Sequence, residues 1–289
     1  MIRALVRSLR PRQWIKNIVV FAPLFFSGQA LETVAFGKVM AVFVCFSLAS
    51  GAVYLINDLC DWRVDQLHPR KKYRPIASGE LPRSAAVMAA TVLATGSISW
   101  SFTVGKPLGT VMLLFFTLNL LYSFLLKRIV IVDVLSLSFG YVLRVWAGAV
   151  VLDLAPSHWL QLSLWFLALF LSLAKRRQEL ATLHAKSLQH RQVLSSYTES
   201  FIDQMTSILA AIVILCYAVY SVSPDVVLRL GPFGFIATVP WVVYGIFRYL
   251  YLIHVRGETF DPTESFLSDG PLVFSALGWI ACTFLLLYR

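Results

Sequence analysis

The chain has 289 residues, of which 58% are hydrophobic and 14% charged, with a formal net charge of +10 and a mean hydropathy of +0.73. Soluble domains are about 45–50% apolar and about 25% charged, so this excess excludes a water-soluble fold and calls for the bilayer as solvent. The positive charge then belongs to loops held at the inner membrane face; a nucleic-acid partner is not expected, because no soluble domain is left to carry a basic patch.

Residues 1–17 are a basic interfacial segment. The spacing predicts a helix over 3–14 lying on the membrane surface, with Arg3, Arg7 and Arg10 on its wet side. No small-residue cleavage site follows, so no removable leader is expected. Nine stretches are long and apolar enough to span: 18–36, 38–57, 84–104, 107–126, 130–151, 158–175, 204–222, 233–253 and 270–288. The first is the weakest, because Gln29 and Glu32 interrupt it.

With the N-terminus inside, 20 of the 25 Lys and Arg residues fall in inner segments. Four lie outside (Lys38, Lys106, Arg229 and Arg289), and Arg144 falls within a span. This asymmetry predicts an N-in, C-out chain with an odd number of spans. The expected fold is an all-α integral membrane protein, one polytopic domain over 1–289. The outer connections are short. The inner segments 58–83 and 176–203 are long and place function on the cytoplasmic side. Each follows a span that ends in a charged cluster, spans 2 and 6, which hints at an internal repeat that the residues themselves do not repeat. None of the four cysteines forms a CxxC pair, so zinc ribbons and redox motifs have no support.

The first charged cluster is Asn57-Asp58-Leu59-Cys60-Asp61-Trp62-Arg63-Val64-Asp65. If the second span continues as a helix past the membrane surface, Asn57, Asp61 and Asp65 share one face. Carboxylates at that spacing repel, and a helix C-terminus disfavours them further. A divalent cation reverses the sign of that energy, and Mg2+ takes one or two carboxylates together with substrate phosphates and waters. A solvated helix end, or carboxylates paired to Arg63 and Lys71, is the plainer alternative. Next comes His68-Pro69-Arg70-Lys71-Lys72-Tyr73-Arg74-Pro75, with Gly79 closing a turn. Cations beside magnesium carboxylates make a receptor for diphosphate.

Asn57-Asp58-x-x-Asp61-x-x-x-Asp65 followed by Pro69-x-Lys71-x-x-Arg74-Pro75 resembles the signature of the UbiA superfamily of intramembrane prenyltransferases. That resemblance covers essentially the whole chain. It implies nine transmembrane helices around a cytoplasm-facing cavity, with two magnesium-binding aspartate motifs. Where the family has its second acidic motif, after the sixth span, this chain reads Leu173-Ala174-Lys175-Arg176-Arg177-Gln178-Glu179. Basic residues there would grip phosphate directly.

Together with Arg10-Pro11-x-Gln13-Trp14-x-Lys16-Asn17, this is similar to the decaprenyl-phosphate phosphoribosyltransferase branch. The resemblance implies transfer of 5-phosphoribosyl from phosphoribosyl diphosphate to a polyprenyl phosphate. Diphosphate is released, Mg2+ is the cofactor, and the product feeds cell-envelope arabinan precursors in a bacterial inner membrane. It implies catalytic roles for Asp58, Asp61 and Asp65 and metal contacts from Asn57, Asp61 and Asp65. Substrate contacts are expected from Lys16, Asn17, Lys71, Arg74, Lys127, Arg144, Lys175, Arg176 and Glu179.

Arg144 is also an intramembrane charge in its own right, either a phosphate ligand or the partner of Asp133 or Asp153. Asp261, Glu264 and Asp269 read as a solvated acidic loop. Two rivals stand beside the main reading. One is a family member that transfers an isoprenyl group to an aromatic acceptor, against which Lys175-Arg176 argues. The other is a transporter with a charged cytoplasmic vestibule, whose charges would sit nearer the midplane. The lipid chain length and the oligomeric state, a homo-oligomer included, are left open.

Overall fold

A computed structural model of the chain describes residues 1–69, 71–155, 157–183, 194, 196–231, 233–256 and 268–288. Among these, every regular element is helical, with eleven α-helices and short 3-10 turns between them. Eight helices are long and apolar enough to cross a membrane. They are α3 (Thr33–Leu67), α4 (Arg83–Val104), α5 (Lys106–Phe124), α6 (Val132–Val150), α7 (His158–Leu183), α8 (Glu199–Ser221), α10 (Val239–His254, which spans together with the 3-10 helix Phe235–Thr238 before it) and α11 (Gly270–Leu287). The remaining three are short: α1 (Ile2–Leu9), α2 (Ala22–Phe26) and α9 (Pro224–Leu230).

Eight of the nine expected spans thus correspond to one long helix each. The stretch 18–36 does not form a continuous helix. A 3-10 helix runs from Pro11 to Phe21, α2 follows, and Gly28 at φ 82° turns the chain before α3 begins. Pro11 and Pro23 each remove a backbone donor. A left-handed glycine then ends what apolar composition alone would continue.

The surface helix also stops short of its expected end, at Leu9. Arg10 adopts a left-handed conformation, φ 53°, before Pro11, which disfavours a helical residue in front of it. The two long inner segments are partly helical. Helix α3 reaches Leu67, and α7 reaches Leu183.

The chain forms two compact units. One comprises residues 1–136 and 140–156, the other 157–289 with residues 137–139. In the first, Val39, Val42, Phe46 and Ala49 line one face of α3 at helical spacing. They pack with Met112, Phe115 and Phe116 of α5, Leu143 and Ala147 of α6, and Val20 and Leu24. The Phe46 and Phe115 rings lie 5.1 Å apart. Small residues join α3 to α4, where the Cys45 thiol meets Ser97 O at 3.2 Å and Ser101 Oγ at 3.1 Å. Ala4 of α1, Leu55, Ile76, Leu81 and Ala86 form a second core that seats α1 against α3 and α4.

In the second unit, Phe170 of α7 packs on Tyr249 of α10, 5.5 Å between ring centroids. Trp279 of α11 donates to Tyr217 Oη of α8 at 2.7 Å, satisfying polar groups that lipid would leave bare. A chain built this way is a multi-pass membrane protein.

Candidate active site

The last turns of α3 carry the acidic motif. Asp58 and Asp65, two helical turns apart, share a face and are buried, 2% and 3% exposed. Asp61 and Asn57 are half-buried. Three carboxylates at a helix C-terminus repel one another and the helix dipole, and cations from three other segments offset that cost. Arg10 Nη2 donates to Asp58 Oδ1 at 2.5 Å. Arg74 Nη1 donates to Asp58 Oδ1 at 3.0 Å and to Asp65 Oδ2 at 2.6 Å. Lys127 Nζ donates to Asp61 Oδ1 at 2.6 Å. The partners are therefore not Arg63 and Lys71. Arg63 lies over the Trp62 ring, 5.3 Å from its centroid. Lys71 is half-buried, with its backbone N–H on His68 Nδ1 at 3.2 Å.

Local structure explains each delivery. Arg74 follows a 3-10 turn over Lys71–Tyr73 and opens a tight loop. Leu81 N–H closes that loop on Pro75 O at 2.8 Å, with Gly79 left-handed at φ 82°. Arg7 ties α1 to the same loop through Glu80 at 2.7 Å and Tyr73 O at 3.2 Å. Lys127 sits in the 3-10 turn after α5, Leu126–Arg128. Arg10 corrects an expectation, since it is turned onto Asp58 and lies over the Tyr54 ring at 4.9 Å rather than on the wet face of a surface helix. The sequence carried a signal for it in Pro11, which forbids the helix that would have kept Arg10 outside.

A second polar group lies among the apolar helices of this unit. Arg144 Nε donates to Asn17 Oδ1 at 2.7 Å, and Nη1 donates to Gly140 O at 2.7 Å. The guanidinium stacks over Phe115 at 4.8 Å and Tyr141 at 5.3 Å. Asn17 is fully buried and donates to Ser47 Oγ at 3.2 Å. The partners of Arg144 are thus neutral, and neither Asp133 nor Asp153 is among them. Lys16 is half-buried beside Asn17.

In the second unit, Lys175 is half-buried on α7. Arg176 is buried and donates to Glu179 Oε2 at 2.6 Å. Arg177 pairs with Glu199 and Asp203 of α8, both at 2.9 Å. Asp269, expected in a solvated loop, is buried at the start of α11. It takes two bonds from Arg248 at 3.0 and 2.7 Å and one from Leu272 N–H at 2.9 Å. Asp261 and Glu264 lie outside the described residues.

The model of the UbiA prenyltransferase family matches residues 18–261. A decaprenyl-phosphate phosphoribosyltransferase of Mycobacterium tuberculosis is 33% identical, covering 97% of this chain and 93% of its own. A protein of the same name from Mycolicibacterium smegmatis is 34% identical over 97% and 91%. A UbiA homolog from Archaeoglobus fulgidus bound to GPP and Mg2+ shares the fold at 18% identity, with a TM-score of 0.75 over 99% of this chain and 100% of that one. A family match over most of the chain and relatives above 30% identity over nearly all of it leave one conclusion: the chain belongs to the UbiA prenyltransferase family.

Proposed function

We propose that this protein transfers 5-phosphoribosyl from phosphoribosyl diphosphate to a polyprenyl phosphate of the decaprenyl type, releasing diphosphate. It would act at the cytoplasmic face of a bacterial inner membrane, with its N-terminus inside, on the way to cell-envelope arabinan precursors. The observation that carries the reading is the α3 cluster, where each carboxylate is matched by a cation from a separate segment. Near-full-length relatives named for this reaction support it.

The donor set fits Mg2+. Among the described residues, no three acidic, His or Cys groups converge closely enough to hold a metal alone. A site of one or two carboxylates completed by substrate phosphate is what Mg2+ accepts. Asn57, Asp61 and Asp65 would hold it, with Asp58 as positioning group. When bound, the metal neutralises charge on the departing diphosphate.

The chain's own residues do the rest. Arg74, Lys71 and Lys127 hold phosphate oxygens of the donor, and Lys16, Asn17 and Arg144 offer further phosphate contacts. Lys175 and Arg176 are assigned to phosphate because they stand where the family has its second acidic motif, and Glu179 is assigned to the substrate more generally. The bond from the anomeric carbon to diphosphate breaks, and an oxygen of the lipid phosphate forms the new bond from the opposite face, with inversion. That oxygen is already anionic, so the protein need not supply a general base.

The test uses membranes containing the full chain, given labelled phosphoribosyl diphosphate and a polyprenyl phosphate, with mass spectrometry of the lipids. A phosphoribosylated lipid is expected, and it should fall by at least about 100-fold in Asp61→Asn. Formation of a prenylated product from polyprenyl diphosphate and an aromatic acid instead would overturn the reading.

A further inference from the structure

The charges around α3 balance. Asp58, Asp61 and Asp65 contribute three negative charges, and Arg10, Arg74 and Lys127, all bonded to them, contribute three positive ones. Asp58 and Asp65 are almost fully buried. A bare dication entering this neutral group would have to displace bonded cations and leave an excess of two positive charges in a site of low dielectric. A dication that arrives with a diphosphate brings compensating negative charge, and the displaced guanidinium groups gain phosphate oxygens to donate to.

The backbone singles out Arg10 as the group made to move. It is a non-glycine residue in the left-handed region, φ 53° and ψ 61°, a conformation that costs about 1–2 kcal/mol and persists where the surroundings impose it. What imposes it is the seat of α1. Ser8 is buried with its hydroxyl on Ala4 O at 3.0 Å, and Leu9 lies so close to α3 that a Cβ on Gly51 would meet its Cδ2 at 3.0 Å. Arg7 meanwhile fastens α1 to the loop that carries Arg74. The N-terminal helix and the Arg74 loop therefore deliver both guanidinium groups to one oxygen, Asp58 Oδ1.

We propose that Arg10 is an exchangeable counter-ion. In the resting site it neutralises Asp58 and keeps bare metal out; when a metal-bound diphosphate enters, it transfers its bonds to phosphate. Metal and sugar donor then bind as one unit rather than in sequence, and Arg10 is a positioning residue for that step. This rests on the reading that α3 receives a metal-bound diphosphate.

The experiment is equilibrium dialysis of Mn2+, standing in for Mg2+, against the purified full-length protein in lipid nanodiscs. Inorganic diphosphate is present in both compartments or in neither. Wild type is expected to bind Mn2+ at least about tenfold more tightly with diphosphate than without. Arg10→Gln should bind Mn2+ alone more tightly than wild type and gain less from diphosphate, and Arg10→Lys should restore the wild-type ratio. Equal Mn2+ affinity with and without diphosphate in wild type overturns the exchange while leaving the diphosphate site standing. So does an Arg10→Gln protein whose two affinities match wild type. Absence of Mn2+ binding even with diphosphate overturns the proposed function as well. The wild-type comparison stands even if a variant misfolds.

Discussion

Arg144 shows what a single residue costs and what it is kept for. A half-buried guanidinium in a membrane-spanning helix is expensive, and a carboxylate partner would be the cheapest remedy. Here the charge is met by the Asn17 and Gly140 oxygens and by two ring faces. Neutral partners repay only part of the desolvation, so replacing the charge by a methionine of similar length removes a liability rather than a support. Arg144→Met is therefore expected to keep or raise the thermal midpoint in detergent while lowering phosphoribosyl transfer by about 100-fold or more. A fall in the midpoint with activity retained would make Arg144 a structural residue. The residue itself was legible from sequence, because an arginine amid apolar residues calls for either a ligand or a partner. Its partner was not. Asn17 lies 127 positions away, and nothing in local spacing joins a neutral side chain in the N-terminal segment to α6.

At the level of elements, the segment Pro11–Phe21 is the piece that apolar composition describes worst. Its first seven residues are read as interfacial and its last four as the start of a span, yet the whole is wound as one 3-10 helix and pressed against α6. A Cβ at Gly148 would come within 1.9 Å of Val20 O and 3.0 Å of its carbonyl carbon. The obstacle is backbone, which cannot swing aside as a side chain can. Gly148→Ala should therefore push the segment off α6 and destabilise by about 1–3 kcal/mol. It should also weaken transfer by displacing Asn17 from Arg144. Gly96→Ala is the control: nothing lies within 4 Å of a Cβ there, so the midpoint should stay level or rise. Thermal unfolding and turnover of the two variants side by side decide it, and equal behaviour would refute the close approach. The eight longer spans were legible because twenty apolar residues between charged ends admit few structures in lipid. The N-terminal break was legible only through Pro11, Pro23 and Gly28, signals of backbone geometry that an apolar count passes over. The acidic motif was legible as a helix face. What spacing could not supply was the supply of cations, because Arg10 and Lys127 lie 48 and 66 positions from their carboxylates.

Among the described residues of both units, ion pairs gather at helix ends. In the first unit the pairs surround the α3 acids, which are the groups proposed to exchange partners during turnover. In the second unit the same chemistry serves as fastening. Arg177 of α7 holds Glu199 and Asp203 of α8, and Arg248 of α10 holds Asp269 at the mouth of α11 with two parallel bonds. Asp269 also caps α11 through Leu272 N–H, so one carboxylate joins two helices and starts one of them. The Arg248 guanidinium bonded to it holds the Asp269 carboxyl below the usual carboxylate range, helped by the Leu272 amide. A carboxyl whose pKa is lower folded than unfolded binds fewer protons in the native state, so its stabilisation is complete above its unfolded pKa, about 3.9. That contribution is lost as pH falls through the depressed folded value. Asp269→Asn should consequently lower the thermal midpoint at pH 7, and the gap from wild type should narrow as the pH is taken below about 4. A pH series of midpoints for the two proteins measures it. The absence of any gap at pH 7 would mean that the cap, which an asparagine can still form, matters and the ion pair does not.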